Sequence, residues 1–317
     1  MTKSIRAGLR GRDMLCLADF RPAEIMEMIV LAAGLKEGHP KVDSLLAGKT
    51  IGLVFHKAST RTRISFEVAM LQLGGHSLFM SGGETQLGRG ESIADTGRVL
   101  SRYLDGIVVR TFAQADVEEL ARWADVPVIN GLTDLTHPCQ VLADLLTVYE
   151  RKGRLAGLKL AYVGDGNNMA HSLLIGGAKV GMRVAVATPD AYRPDPAVVE
   201  KAFQAAREGG GAVEVLEDPA AAVRDADVVV TDVWASMGCE EEQDLRAGVF
   251  PPYQINRRLT AGARPDFLFL HCLPVHRGEE VTADIIDGPH SVVWDEAENR
   301  LHAQKALLAL LLAGGEL

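Results

Sequence analysis

Apolar runs of strand length alternate with helix-period segments along almost the whole chain, and the alternation starts over once. "KTIGLVFH" is followed by "RISFEVAMLQLG", "HSLFM", "SIADTGRVLSRYLD", "GIVVRTF", "ADVEELARWA" and "PVIN". Strands that are apolar on both faces, with helices between them, are buried in a parallel sheet covered by those helices. A second series opens at "LKLAYVGDG" and runs through "NMAHSLLIGGAKVG", "RVAVATP", "PAVVEKAFQAAREGGG", "AVEVLED", "PAAAVRDA" and "DVVVTDVW"; "FLFLHCLP" and "SVVWDEAENR" continue it. The expected fold is α/β, with two doubly wound domains, each a central parallel sheet flanked by helices. A chain of 317 residues is long enough for two such cores.

Between the two series lies "HPCQVLADLLTVYERKGRL", with apolar residues at helical spacing and a basic end. It is expected to be a linking helix over 137–152, between a first domain over 1–136 and a second over 153–300. The last segment, 301–317, reads as a helix with no strand after it, expected to pack back on the first domain. Its apolar "KALLALLLAGGEL" is far short of the ~20 residues that span a bilayer.

A net charge of −9 argues against a general nucleic-acid binder, which shows a basic surface. The four cysteines, Cys16, Cys139, Cys239 and Cys272, are scattered and form no CxxC pair, which argues against a disulfide framework or a structural zinc site. With no signal-peptide core in "MTKSIRAGLRGRDMLCLADF", the expected setting is the reducing cytoplasm.

Ligands of open α/β sheets bind beyond the carboxyl ends of the strands. The polar residues at those ends are Ser59–Arg63, Arg110, Asn167–Asn168, Asp232–Ser236 and His271–Cys272. "STRTR" is the densest. Capping the helix that follows needs one hydroxyl and no arginine. Three hydroxyls and a guanidinium, added to the free N–H groups of a helix start, make a cradle for a phosphoryl group. Arg61 and Arg63 point apart at i and i+2, so Arg61 is expected as the ligand and Arg63 as support. Arg110 places a charge at the end of a buried-looking strand. His137 and Gln140 share a helix face at i and i+3, suited to a carbonyl oxygen and an amide.

"STRTR", "HPCQ", "DVWASMG" and "HCLP", in that order, resemble the aspartate/ornithine carbamoyltransferase family, from about residue 59 to about residue 300. The resemblance implies carbamoyl phosphate bound by Ser59, Thr60, Arg61, Thr62, Arg110, His137, Gln140, Cys272, Leu273 and Arg300. It also implies a homotrimer, or an assembly of trimers, in which Gln86 of "GETQLGRGES" reaches a neighbour's site. Taken alone, Arg300 reads equally as a helix-start ion pair with Glu296 or Glu298.

"SMG" and the Cys272-Leu273 pair resemble the ornithine-using branch of the family. By that likeness Asn168, Asp232, Ser236 and Met237 hold the amino-acid end of ornithine. An α-ammonium needs a carboxylate such as Asp232, and an α-carboxylate needs donors. Cys272 and Leu273 then line the place of the attacking amine, and the Leu273-Pro274 bond is a candidate cis peptide. Arg110, His137, Cys272 and Asp232 are the expected catalytic set. The reaction implied is carbamoyl transfer from carbamoyl phosphate to the δ-amine of ornithine, a step of arginine metabolism, with phosphate as leaving group and no cofactor or metal. Related amines, N-acetylornithine or putrescine, are the alternative substrates.

Two other readings compete. "GDGNN" after a strand is half of a dinucleotide fingerprint, but the third glycine position holds Met169, which weakens a nicotinamide enzyme. Zinc on His271, Cys272 and His276 is disfavoured, because adjacent ligands suit a tetrahedral site poorly.

Overall fold

The computed structural model describes residues 2–84, 90–235 and 240–314. Two compact units make up the chain: Met1–Leu146 with Asn299–Leu317, and Thr147–Glu298. The division falls inside two helices, Pro138–Lys152 and Val293–Leu312.

In the first unit the strands are β1 (Thr50–Phe55), β2 (His76–Ser81), β3 (Gly106–Arg110) and β4 (Val128–Leu132). Among the described residues they form one parallel sheet in the order β2-β1-β3-β4. Every residue of β3 and β4 is buried, as an apolar run between two helical layers requires. The helix Thr60–Gln72 joins β1 to β2, and Gln114–Trp123 joins β3 to β4. Val54, Ile107, Val109, Val117, Leu120 and Val128 form one core cluster of this sheet.

The second unit holds β5 (Lys159–Val163), β6 (Arg183–Ala187), β7 (Ala212–Leu216), β8 (Val228–Thr231) and β9 (Leu268–His271). These also pair in parallel, in the order β7-β6-β5-β8-β9. Both sheets are therefore doubly wound, as the alternation in the sequence implies. Each winds outward from a central strand and then returns to its other side. The reversal lies between β1 and β3 in the first sheet and between β5 and β8 in the second. A crevice opens at such a point because the helices leave in opposite directions.

Several elements depart from the expectation. Thr2–Leu9 and Pro22–Lys36 are helices ahead of the first strand. Pro22 occupies the first turn of its helix, where a missing N–H costs nothing, and Glu24 reaches back to accept from the Arg21 N–H at 2.8 Å. The last helix begins at Val293 rather than near 301, with Asp295 and Glu296 in its first turn, where carboxylates complement the helix dipole. "SVVWDEAENR" accordingly forms no strand: Ser291 bridges Phe269, Val292 N–H donates to the Phe269 carbonyl at 3.0 Å, and the chain turns helical at Val293, where Glu296 accepts from His271 N–H at 2.8 Å. The end of this helix is buried in the first unit, where Gly11 N–H donates to the Leu311 carbonyl and Lys305 reaches Gln72.

Candidate active site

At the first switch point the chain leaves β1 and caps the next helix with Ser59. Ser59 is extended, at φ −161° and ψ 121°, and its hydroxyl accepts from Thr62 N–H at 3.2 Å. Capping uses this one hydroxyl. Thr62 lies one turn in, 1% exposed, and its Oγ1 accepts from Arg300 Nη2 at 3.0 Å. Arg300 also donates from Nη1 to Gln140 Oε1 at 2.6 Å, and Gln140 Nε2 donates to Asp144 Oδ1 at 2.8 Å. With its amide oriented to satisfy its neighbours, Gln304 accepts from Arg300 Nε at 3.2 Å and Nη2 at 2.9 Å, and donates to Ser65 Oγ. Thr62, Gln140 and Arg300 are thus brought together from three distant segments.

Arg110 ends β3 on the other side of the switch point, and His137 stands just before the helix Pro138–Lys152; both are buried. Burial holds His137 well below the usual imidazole range, and the positive fields of Arg300, Arg110 and Arg61 push it further down. Two conclusions follow. Three guanidiniums converge on one region, which favours an anion there. His137 is a neutral imidazole near pH 7, able to donate to a carbonyl oxygen without adding charge. The same burial pushes the Cys139 thiol up to about 12, so this cysteine is a packing group.

Arg63 has another setting. Its Nε donates to Glu67 at 2.9 Å, and its guanidinium lies 3.7 Å from the Phe79 ring centre. Gln86 lies outside the described residues.

At the second switch point "GDGNN" turns from β5 into the helix Asn168–Lys179. A Cβ on Gly166 would come within 2.4 Å of the Pro194 backbone, so its glycine lets the 192–194 segment pack closely. Asn167 caps the helix: its Oδ1 accepts from Met169 N–H at 2.9 Å and Ala170 N–H at 3.3 Å. Its Nδ2 donates to Asp232 Oδ2 at 2.8 Å, across the switch point. Asp232 Oδ1 accepts from Val233 N–H at 2.8 Å and from Cys272 Sγ at 3.1 Å. Three of the roughly four acceptor positions of this carboxylate are thereby used, leaving room for one more donor, such as an ammonium. Asn168 is half-buried in the first helical turn beside Asn167. Ser236 and Met237 lie outside the described residues.

Asp165 is the second acid of this turn. Burial pushes it up to about 6, although the ion pair with Arg246 at 2.7 Å pulls it down. Arg246 also donates to the Trp234 carbonyl at 2.7 Å, so one guanidinium ties "GDGNN" to the segment after β8.

β9 ends in His271, followed by Cys272 and Leu273. Leu273 is in the left-handed region, at φ +56°, and its bond to Pro274 is cis. Asp232, His271 and Cys272 present ligand atoms within 4.8 Å of one another. Cys272 and Asp232 are already hydrogen-bonded together there, and His271 Nδ1 accepts from Leu273 N–H at 2.9 Å. A metal would have to displace all of these.

Asp165, Arg246 and Gln304 are outside the residues that the sequence points to, and Asn167 enters there only as a polar strand-end residue beside Asn168. Gln304 had a readable signal, lying at i+4 from Arg300 on one helix face.

Residues 12–150 match the carbamoyl-P binding domain of aspartate/ornithine carbamoyltransferase, and residues 156–311 match its Asp/Orn binding domain. The chain belongs to the aspartate/ornithine carbamoyltransferase family. An ornithine carbamoyltransferase of Carboxydothermus hydrogenoformans is 60% identical over 96% of this chain and 99% of its own length. One from Pyrococcus abyssi is 58% identical over 96% of this chain and 97% of its own. The solved structure of ornithine carbamoyltransferase from Pyrococcus furiosus superposes with a TM-score of 0.93 at 57% identity, covering 96% of this chain and 98% of that one. The second switch-point cluster falls within the 156–311 match, and the first falls within the 12–150 match apart from Arg300 and Gln304, which come from the end of the other match.

Proposed function

We infer that this chain transfers the carbamoyl group of carbamoyl phosphate to the δ-amine of L-ornithine, giving L-citrulline and phosphate. The observation that carries this reading is likeness at 58–60% identity, across 96% of the chain, to relatives named for that activity. The chemistry of the clusters supports it. The first unit gathers Ser59, Thr62, Arg61, Arg110, His137, Gln140 and Arg300 around a field that favours an anion, as carbamoyl phosphate requires. The second presents Asp232, buried and with one acceptor position to spare, as an α-ammonium requires.

In this reading Arg110 and His137 polarise the carbamoyl oxygen, while Ser59, Thr60, Thr62 and Arg61 take up the charge of the departing phosphate. No step calls for a redox group or a metal, since phosphate is already a competent leaving group. The amine attacks as the free base. A δ-amine with pKa ~10.4 is neutral in only about one molecule per thousand at pH 7.4, a deficit of roughly 4 kcal/mol. Positioning beside Cys272 and Leu273 has to offset that deficit.

A homotrimer, with Gln86 contributed across the subunit interface, completes the reading. The edge strand β2 leaves Leu78 and Phe79 exposed, and the helix Thr60–Gln72 beside it leaves Ile64 and Leu71 exposed, a face suited to another copy. Mixing an inactive Gln86 variant with an inactive Arg110 variant and recovering activity would establish that sharing. A cytoplasmic location goes with the free cysteines among the described residues. The Pyrococcus furiosus relative is named as anabolic, and synthesis of citrulline toward arginine is the direction we assign here.

The test is a citrulline assay with carbamoyl phosphate and four amines: ornithine, N-acetylornithine, putrescine and lysine. Ornithine is expected to give the highest kcat/KM. Turnover of N-acetylornithine or putrescine above ornithine would move the chain to a different substrate.

A further inference from the structure

Leu273 adopts a conformation that side chains resist, and something must hold it there. The hydrogen bond that does so comes from two residues earlier. His271 Nδ1 accepts the Leu273 N–H at 2.9 Å, which leaves Nε2 to carry the ring proton. Nε2 faces Glu280 Oε1 at 3.2 Å, with both side chains fully buried. The same carboxylate oxygen accepts the His276 N–H at 2.6 Å, closing the loop that leads away from Pro274. Its other oxygen lies 3.8 Å from His276 Nδ1. On the far side of the turn Cys272 Sγ bonds Asp232. Every part of this chain lies in one unit.

We propose that Glu280 is a positioning residue for the transfer reaction: it fixes the ring of His271, and His271 holds the Leu273 amide so that the Cys272–Leu273 turn keeps its shape. Without Glu280 the imidazole is free to turn over or to move its proton to Nδ1. An Nδ1–H would then face the Leu273 N–H, donor against donor. The turn would relax, and with it the residues that receive the attacking amine. The other groups assigned to carbamoyl phosphate, Ser59 to Thr62, Arg110 and Arg300 among them, lie in the other unit and do not take part, so most of the hold on that substrate is kept even though Cys272 and Leu273 meet its carbamoyl end. The proposal rests on the carbamoyl-transfer reading above.

The experiment compares Glu280→Leu, Glu280→Gln, His271→Asn and the double variant Glu280→Leu/His271→Asn. Each is assayed for kcat and for both KM values, with thermal unfolding as the check on folding. Gln keeps an oxygen for His271 and His276 N–H and sets its amide towards His276 Nδ1, so E280Q is expected to retain at least a third of the wild-type kcat. E280L is expected to lose tenfold or more in kcat, with KM for carbamoyl phosphate within twofold. Asn at 271 supplies its own oxygen to the N–H two residues on, so adding E280L to H271N should cost less than twofold.

Three results would overturn the proposal: E280L within twofold of wild type, E280Q as damaged as E280L, or E280L costing as much beside H271N as alone. Should E280L not fold, histidine-ring nitrogen spectra of wild type and E280Q decide. Both must show His271 as the Nε2–H tautomer, and an Nδ1–H tautomer in the wild type overturns the idea. A wild-type protein that makes no citrulline sinks the carbamoyl-transfer reading itself, which is a different outcome from an active wild type with an unimpaired E280L.

Discussion

Arg300 donates to the Thr62 hydroxyl at 3.0 Å across 238 residues of sequence. A hydroxyl that accepts from a guanidinium has its own proton left to donate. In the proposed reaction that proton goes to the phosphate of carbamoyl phosphate, with the Thr62 hydroxyl held by a side chain from the last helix.

Thr62→Val keeps the shape and removes the hydroxyl. A buried charge-assisted hydrogen bond lost in this way costs about 1–3 kcal/mol, readable in urea unfolding. KM for carbamoyl phosphate should rise tenfold or more, with KM for ornithine within twofold, and Thr62→Ser should restore most of the loss. An unchanged carbamoyl-phosphate KM in T62V would remove Thr62 from the cradle.

The two arginines of "STRTR" should separate cleanly. Arg61→Ala removes a charge from the anion field felt at His137, and kcat/KM is expected to fall by ~100-fold or more, the loss typical of one donor to a developing charge. Arg63→Ala gives up only Glu67 and the face of Phe79, and kcat/KM should stay within threefold. Equal losses in steady-state assays of the two variants would mean that the division is wrong.

The expectation behind this separation comes from the sequence. That only one of two arginines at i and i+2 reaches an anion follows from helix geometry and is legible without coordinates. So are the two sheets, because each strand announces itself as an apolar run between helical segments. What supports the site is less legible. Arg300 finds Thr62 and Gln140, His271 finds Glu280, and Arg246 finds Asp165 through tertiary packing that no local pattern encodes. "GDGNN" shows the difference within five residues. The resemblance points to Asn168, while the residue that joins the capped helix to Asp232 is Asn167. A cap residue looks alike in sequence whether or not its other end reaches across a switch point.

His137 also makes the protein sensitive to acid. Its folded pKa is held below the ordinary value near 6.5, so below about pH 6.5 the unfolded chain takes up a proton that the folded chain refuses. Stability then falls as pH drops from 6.5 toward the folded pKa, and this group's share approaches about 1.4 kcal/mol per pH unit. Urea unfolding of wild type and His137→Gln at pH 7, 6 and 5 isolates that share. The stability difference between the two proteins should shift in favour of the variant on acidification; a constant difference would mean that His137 titrates normally.

Activity is expected to depend on pH through the substrate. If free-base ornithine is the species that reacts, kcat/KM for ornithine rises between pH 6 and 8, with a slope near tenfold per unit. Assays at saturating carbamoyl phosphate measure this directly. A flat profile over that range would count against attack by the neutral amine.

Asn167 gives the most direct check of the second cluster, because one side chain has two separable tasks. Its oxygen caps the helix Asn168–Lys179 through Met169 and Ala170, and its nitrogen holds Asp232 Oδ2 at 2.8 Å. Asn167→Ala loses both, and the cap alone is worth about 0.5–2 kcal/mol. Asn167→Asp keeps the cap but sets a carboxylate against Asp232, where two like charges cannot share a site without cost. Both variants should raise KM for ornithine, and neither should move KM for carbamoyl phosphate beyond twofold. The split lies in stability: Asn167→Ala loses it across the pH range, whereas Asn167→Asp recovers it as acid protonates one of the paired carboxyls. Urea unfolding at pH 5 and pH 8, set beside the two KM values, reads both tasks. An ornithine KM that is unchanged in both variants would mean that the Asn167–Asp232 bond serves the fold alone.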